Sequence, residues 1–64
     1  MLIKLTQLDG EPILVNDENI EFIKPIPEGS YVDFVKRYAN TYTKETPDEI
    51  YEIIRQRELY KNYE

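Results

Sequence analysis

The chain has 64 residues, thirteen acidic and eight basic, with a formal net charge of -5 at pH 7. A chain of this length forms one domain with a small core, because it buries only about 60% of the surface that its unfolded form exposes. Cysteine, histidine and tryptophan are absent, which excludes disulfides and thiolate metal sites and removes the usual general base. The excess of acid disfavours nucleic-acid binding, because contacts to phosphates require a basic patch.

The first half of the chain predicts three short β-strands. Residues 1–8 alternate between apolar and polar, and Asp9 and Gly10 then form the strongest turn signal in the sequence. Residues 13–15 are expected to pair back on the first strand as a hairpin. The polar segment that follows can form one helical turn, and residues 20–24 predict the third strand.

Two further strands are predicted before the helix. The prolines in residues 25–29 are expected to stop the third strand. Proline has no N–H to donate to a neighbouring strand, and it restricts the backbone conformation of the residue before it. Residues 31–38 form the clearest alternating run, and a turn over residues 38–40 returns the chain through residues 41–43.

Residues 46–49 carry the signals of a helix start. Thr46 can cap the helix with its hydroxyl, Pro47 suits the first helical position, and Glu49 can complete a capping box. Three isoleucines follow at helical spacing and predict one buried stripe: Ile50, Ile53 and Ile54.

These elements predict an α+β fold in a single domain of residues 1–64: a small antiparallel sheet of four or five strands, then one C-terminal helix packed on one face. Ile20 and Phe22 are expected on the core face. The apolar residues of opposite phase are expected on the face that the helix leaves bare: Leu2, Leu8, Leu14 and Ile23. Either the sheet curls on itself, or a second copy or a partner covers that face, which makes a homo-oligomer possible.

The polar residues do not form a recognisable catalytic set. Four carboxylates near two predicted turns could hold a hard cation or serve as acid and base, but they lack the spacing of a calcium loop and are expected to form a solvated acidic rim: Asp9, Glu11, Asp17 and Glu18. Ser30 has no histidine to activate it, and no glycine-rich loop leads into a helix. We therefore expect no enzyme activity, no metal and no cofactor.

The six tyrosines suggest an interaction surface. Tyr51, Tyr60 and Tyr63 gather in the C-terminal third, and aromatic residues with a polar tip are enriched at protein interfaces. With Leu8 and Leu14 they are the candidate interface residues, although they could equally form the rim of a small core. Aromatic residues beside Lys36 and Arg37 could also form a stacking surface for nucleic acid, which the acidic charge disfavours.

Three segments together resemble the FlbD/SwrD family of small bacterial flagellar proteins. Residues 4–12 read KLTQLDGEP, residues 20–23 read IEFI, and Lys44 and Glu45 precede the helix. The resemblance covers residues 1–24 well and the last third loosely. In the middle the chain departs from the family, since residues 27–30 read PEGS where a Pro-Asp-Thr turn is usual, and no glycine follows in the next hairpin.

The resemblance implies a non-enzymatic flagellar or motility accessory protein that binds protein partners, such as flagellar motor or export components. The alternative is a small acidic interaction or regulatory protein on the same scaffold, of the kind that a phage or mobile element encodes, that binds a host protein. The longest apolar run has three residues, 13–15, and no signal peptide is recognisable. A cytoplasmic protein without membrane insertion is therefore expected.

Overall fold

The computed structural model describes residues 1–35 and 40–61, the last two by their backbone alone. Its elements are β1 (Leu2–Thr6), β2 (Pro12–Asn16), a 3₁₀ turn (Asp17–Asn19), β3 (Ile20–Ile26), β4 (Gly29–Phe34), β5 (Thr41–Thr43) and α1 (Pro47–Lys61). The predicted α+β class and order of elements are confirmed, including the helical turn before the third strand.

The strands form two antiparallel sheets where the sequence suggested one. β1 and β2 form a hairpin, and β3, β4 and β5 form a sheet in that order. The two sheets meet at one corner through an isolated antiparallel bridge between Gln7 and Thr43. Next to it, the Lys44 N–H donates to the Thr6 carbonyl oxygen at 2.8 Å. The strands thus bend around a shared interior.

Five side chains from both sheets and the helix form the buried core: Ile3, Leu5, Val15, Val32 and Ile50. Ile3 lies opposite Val15 in the hairpin and Leu5 lies opposite Ile13, so alternate residues of β1 face inward as predicted. Ile53 and Ile54 pack against this core beside Ile50, which confirms the helical stripe.

The prediction of which β3 side chains face the core is wrong, because the strand contains a β-bulge. Ile20 pairs with Phe34, but Phe22 pairs with the adjacent Asp33, so β3 contains one extra residue at this point. The extra residue shifts the alternation of side chains along the strand. As a result Ile20 and Ile23 both pack against the core, whereas Phe22, which was expected inside, is 38% exposed.

The prolines shift the boundary between β3 and β4. β3 continues through Pro25 to Ile26, beyond its predicted end at residue 24. Pro25 is tolerated because β3 is an edge strand, where a missing N–H removes no ladder bond. β4 begins at Gly29, two residues before its predicted start. β4 ends at Phe34 and a bend follows at Val35, so the predicted run of this strand to residue 38 is too long. The predicted turn over residues 38–40 falls mostly on residues 36–39, outside the described residues.

The predicted capping box is confirmed at the start of α1. The Thr46 N–H donates to Glu49 Oε1 at 2.8 Å, and the Glu49 N–H donates to Thr46 Oγ1 at 3.2 Å. These reciprocal bonds satisfy two donors that a helix start otherwise leaves open. The helix therefore begins at a defined residue directly after the strand corner.

Glu45 connects the two sheets immediately before the helix. Its Oε1 accepts a hydrogen bond from the Thr6 N–H at the end of β1, at 2.9 Å. Its backbone carbonyl oxygen accepts from Ser30 Oγ at 2.7 Å and from Thr43 Oγ1 at 3.2 Å. Both hydroxyl side chains are fully buried, so these bonds satisfy polar groups that would be costly to leave unpaired. We call Lys44 and Glu45 the junction.

Close packing at the junction predicts that Gly29→Ala is more destabilising than Gly10→Ala. A Cβ on Gly29 would collide with the Thr43 carbonyl oxygen and lie 2.7 Å from the Lys44 carbonyl group. The backbone would have to move, so we expect a loss of about 3 kcal/mol in the free energy of unfolding, the upper end of the usual cost of overpacking.

Gly10→Ala is the matched control. Gly10 has a φ of 93° but open space around its Cβ position, so alanine there incurs only conformational strain of about 1–2 kcal/mol. Urea denaturation followed by circular dichroism measures both variants. Equal losses would contradict the tight contact between Gly29 and the junction.

Candidate interaction surfaces

The acidic rim has no geometry for binding a metal ion. Among the side chains that the structure describes, no group of three or more carboxylates converges on a common point. Asp9 instead has a local role, because its Oδ1 accepts from the Glu11 N–H at 2.9 Å within the hairpin turn. Asn16 plays a similar part, since its Oδ1 accepts from the Glu18 N–H at 3.1 Å. Asp9, Glu11 and Glu18 are exposed, as expected of a solvated rim. Asp17 departs from that expectation, because its side chain is only 15% exposed and its Oδ1 lies 3.2 Å from the N-terminal ammonium group.

The outer face of the first hairpin exposes apolar side chains. Leu14 is 63% exposed and Leu2 is 54% exposed, and Lys4 lies opposite Leu14 across the pair of strands. Leu8, in the turn that follows β1, is 39% exposed. The predicted location of these leucines away from the core is confirmed. We call Leu2, Leu8 and Leu14 the hairpin face.

The helix presents a second apolar surface on the side next to its buried isoleucine stripe. Tyr51 is 64% exposed and Leu59 is 41% exposed. An open groove of about 330 Å³ runs along this side, lined by Tyr51, Ile54, Arg55, Glu58 and Leu59. The Tyr60 side chain and Tyr63, the other candidate tyrosines, lie outside the described residues.

A third surface, which the sequence analysis missed, crosses the outer face of the three-stranded sheet. The rings of Phe22, Tyr31 and Tyr42 come one from each strand, and we call them the aromatic row. The centroids of Phe22 and Tyr31 are 6.1 Å apart, and those of Tyr31 and Tyr42 are 5.3 Å apart. Both distances and the tilted planes are typical of favourable aromatic pairs. Lys24 Nζ lies 5.1 Å from the centroid of the Phe22 ring.

The central ring of the aromatic row lies beside a carboxylate. The Tyr31 hydroxyl donates a long hydrogen bond, 3.4 Å, to Asp33 Oδ1. Partial burial raises the pKa of the Tyr31 phenol above its ordinary value, and the negative charge of Asp33 raises this pKa further. A hydrogen bond with the Asn40 side chain acts in the opposite direction. The row therefore combines aromatic faces with a local negative charge.

Sequence reasoning missed the aromatic row because two of its features are not local. The bulge in β3 places Phe22 outside, against the simple alternation. Tyr31 and Tyr42 become neighbours only through the register of β4 and β5. One signal was available, since residues 41–43 alternate Thr-Tyr-Thr and a strand there must direct Tyr42 away from its two threonines.

No protein-family model, curated protein or solved structure matches the chain. In the part of the chain that the structure describes, no helix has the length and apolar character needed to cross a membrane. The three surfaces must therefore be interpreted from their own chemistry.

The hairpin face predicts that Leu14→Asp weakens self-association. A charge placed on an apolar contact would have to be desolvated when two copies meet. We expect light scattering over a concentration series to show weaker association for Leu14→Asp, and also for Leu8→Asp, than for the wild type. Glu18→Ala, on the acidic rim, is the control and should associate as the wild type does. A wild type that stays monomeric at every concentration would contradict this prediction.

The contact between Tyr31 and Asp33 predicts that Asp33→Asn lowers the pKa of Tyr31. Removing the negative charge makes the phenolate less unfavourable, but the burial of the ring remains, so the pKa should stay above its ordinary value. A pH titration followed by NMR of the tyrosine rings measures the change. Glu52→Gln removes a carboxylate from the helix and should leave this pKa unchanged; an equal shift in both variants would exclude a local effect of Asp33.

Proposed function

We propose that the protein is a non-enzymatic accessory protein of the bacterial flagellum or of motility, acting in the cytoplasm by binding other proteins. The observation that carries the binding role is the exposure of apolar side chains on three separate surfaces: the hairpin face, the groove of α1 lined by Tyr51 and Leu59, and the aromatic row. Exposed apolar patches of this kind are typical of interaction sites. The resemblance of residues 4–12, 20–23 and 44–45 to the FlbD/SwrD family supplies the flagellar part of the proposal.

The positions of the family-like residues support a shared scaffold. Residues 4–12 include the inward-facing Leu5, the hairpin turn and the start of β2. Glu45, in the junction, connects the two sheets through hydrogen bonds with Thr6, Ser30 and Thr43. These are residues that maintain the arrangement of strands, whereas the exposed surfaces are free to suit a particular partner.

The size of the protein favours binding as its mode of action. The accessible surface is 4931 Å², and a standard interface covers about 800 Å² on each partner. One partner would therefore cover roughly a sixth of the molecule. Such a chain can join two components through different surfaces, which is a useful property for an accessory protein that contacts flagellar motor or export components.

A second candidate function is a small acidic regulatory protein that binds a basic cleft of a host protein. The net charge of -5 and the exposed carboxylates of Asp9, Glu11 and Glu18 favour it. Such binding would be dominated by surface charges and would weaken steeply with salt, because counterions screen these contacts.

A tagged pull-down from the source cell, read by mass spectrometry at about 50 and about 500 mM salt, distinguishes the two candidates. The flagellar proposal expects motor, basal-body or export proteins, and those held by the hairpin face or the helix surface should remain at high salt, because apolar contacts resist screening. Recovery of nucleases or polymerases that disappears at high salt would instead favour the acidic regulator.

Two controls sharpen this experiment. Baits carrying Leu14→Asp and Tyr51→Asp test the hairpin face and the helix surface separately, and a bait carrying Glu18→Ala should behave as the wild type does.

Deleting the gene from a flagellated source should impair swimming or swarming. Unchanged motility, or a source that makes no flagellum, would contradict the flagellar proposal.

A further inference from the structure

The aromatic row already binds one cation, which belongs to its own chain. Lys24 Nζ lies 5.1 Å from the centroid of the Phe22 ring, within the range of a cation–π contact. The other two rings, Tyr31 and Tyr42, continue the same surface across β4 and β5, and Tyr42 is 49% exposed. A tyrosine face attracts a cation for the same reason that the Phe22 face does, through the quadrupole of the ring.

The charges around the aromatic row complement a positively charged ligand. Strands β3 to β5, the turn between β3 and β4 and the residue directly after β5 carry three carboxylates and two ammonium groups: Glu21, Glu28, Asp33, Lys24 and Lys44. The Lys24 ammonium group lies over Phe22, and Asp33 contacts the Tyr31 hydroxyl. A negatively charged ligand that contacts Tyr31 would meet the repulsion of the Asp33 carboxylate, in addition to that of the whole chain, whose net charge is -5.

We propose that the aromatic row is the docking site for a basic segment of a protein partner, whose arginine or lysine side chains lie over Tyr31 and Tyr42. This inference rests on the proposed function, because it names the chemistry of a partner that binds one of the exposed surfaces. Arginine fits best, since its planar guanidinium stacks on aromatic faces and its donors can reach the Asp33 carboxylate. Lys24 then acts as an internal competitor, because it occupies one ring and repels an incoming cation.

The position of Lys24 over Phe22 predicts the direction in which its replacement changes the binding affinity. Lys24→Met removes the charge and uncovers the Phe22 ring, so it should strengthen binding of a basic segment. The same substitution should weaken binding of an acidic segment or of single-stranded nucleic acid, since it removes a positive charge from the surface. A variant that has merely lost its fold is recognised by its circular dichroism spectrum, which Lys24→Met should leave unchanged.

The test uses the full chain and a short fluorescein-labelled peptide of alternating glycine and arginine, with binding followed by fluorescence anisotropy. We expect Tyr42→Leu, which keeps an apolar side chain but removes the aromatic face, to lower the affinity about two- to fivefold. Tyr51→Leu is the matched control, because it makes the same change at a tyrosine on the helix, away from the aromatic row, and should leave the affinity unchanged. Lys24→Met should raise the affinity about two- to fivefold.

Two further measurements locate the contact. The same peptide with citrulline in place of arginine keeps the shape and loses the charge, and it should bind detectably more weakly. In NMR spectra, the arginine peptide should shift the ring protons of Phe22, Tyr31 and Tyr42 more than those of Tyr51. Weaker binding by Lys24→Met, equal losses from Tyr42→Leu and Tyr51→Leu, or preferential binding of a labelled oligothymidine would each overturn the proposal.

Failure of the basic-segment inference can be distinguished from failure of the proposed function. If the pull-down recovers flagellar proteins and Tyr42→Leu does not reduce their recovery, the protein-binding function stands and the basic-segment inference is wrong. If the peptide binds with the expected signs while motility is unaffected by the deletion, the inference stands and the flagellar role is wrong.

Discussion

The hydrogen bonds of Glu45 are the constraint on which the rest of the structure depends. Its carboxylate holds the end of β1 through the Thr6 N–H, and its carbonyl oxygen holds β4 and β5 through two buried hydroxyls. The capping box that starts α1 follows at the next residue. One short segment thus contacts both sheets and the helix, and these contacts supplement a core that, among the described side chains, has five buried apolar members.

The junction also determines what the outer surface presents. Ser30 and Thr43 face inward to reach the Glu45 carbonyl oxygen. Because side chains alternate along a strand, Tyr31 and Tyr42 must then face outward, and the pairing of β4 with β5 brings them side by side. The bulge in β3 adds Phe22 to the same face. The register of β4 and β5 therefore places the polar contacts of Ser30 and Thr43 inside and the rings of Tyr31 and Tyr42 outside.

Local signals in the sequence were sufficient for much of the fold. The Asp9 and Gly10 turn, the capping box at Thr46 and the isoleucine stripe of α1 depend on neighbouring residues, and all three were predicted. The leucines of the hairpin face also followed from simple alternation. The bulge, the division into two sheets and the bonds of Glu45 depend on residues far apart in the chain, so no pattern of spacing revealed them. The aromatic row was missed for the same reason, since its three rings meet only after the strands have paired.

Native-state hydrogen exchange on Glu45→Ala tests the central role of the junction most directly, with Glu45→Gln as the control because its side-chain oxygen can still accept from the Thr6 N–H. If Glu45 couples the two sheets, amides of β1 and of β4 should lose protection together in Glu45→Ala and keep most of it in Glu45→Gln. A loss of protection confined to the Thr6 amide, with Leu5 and Val32 unchanged, would contradict the account and show that the core alone holds the sheets together.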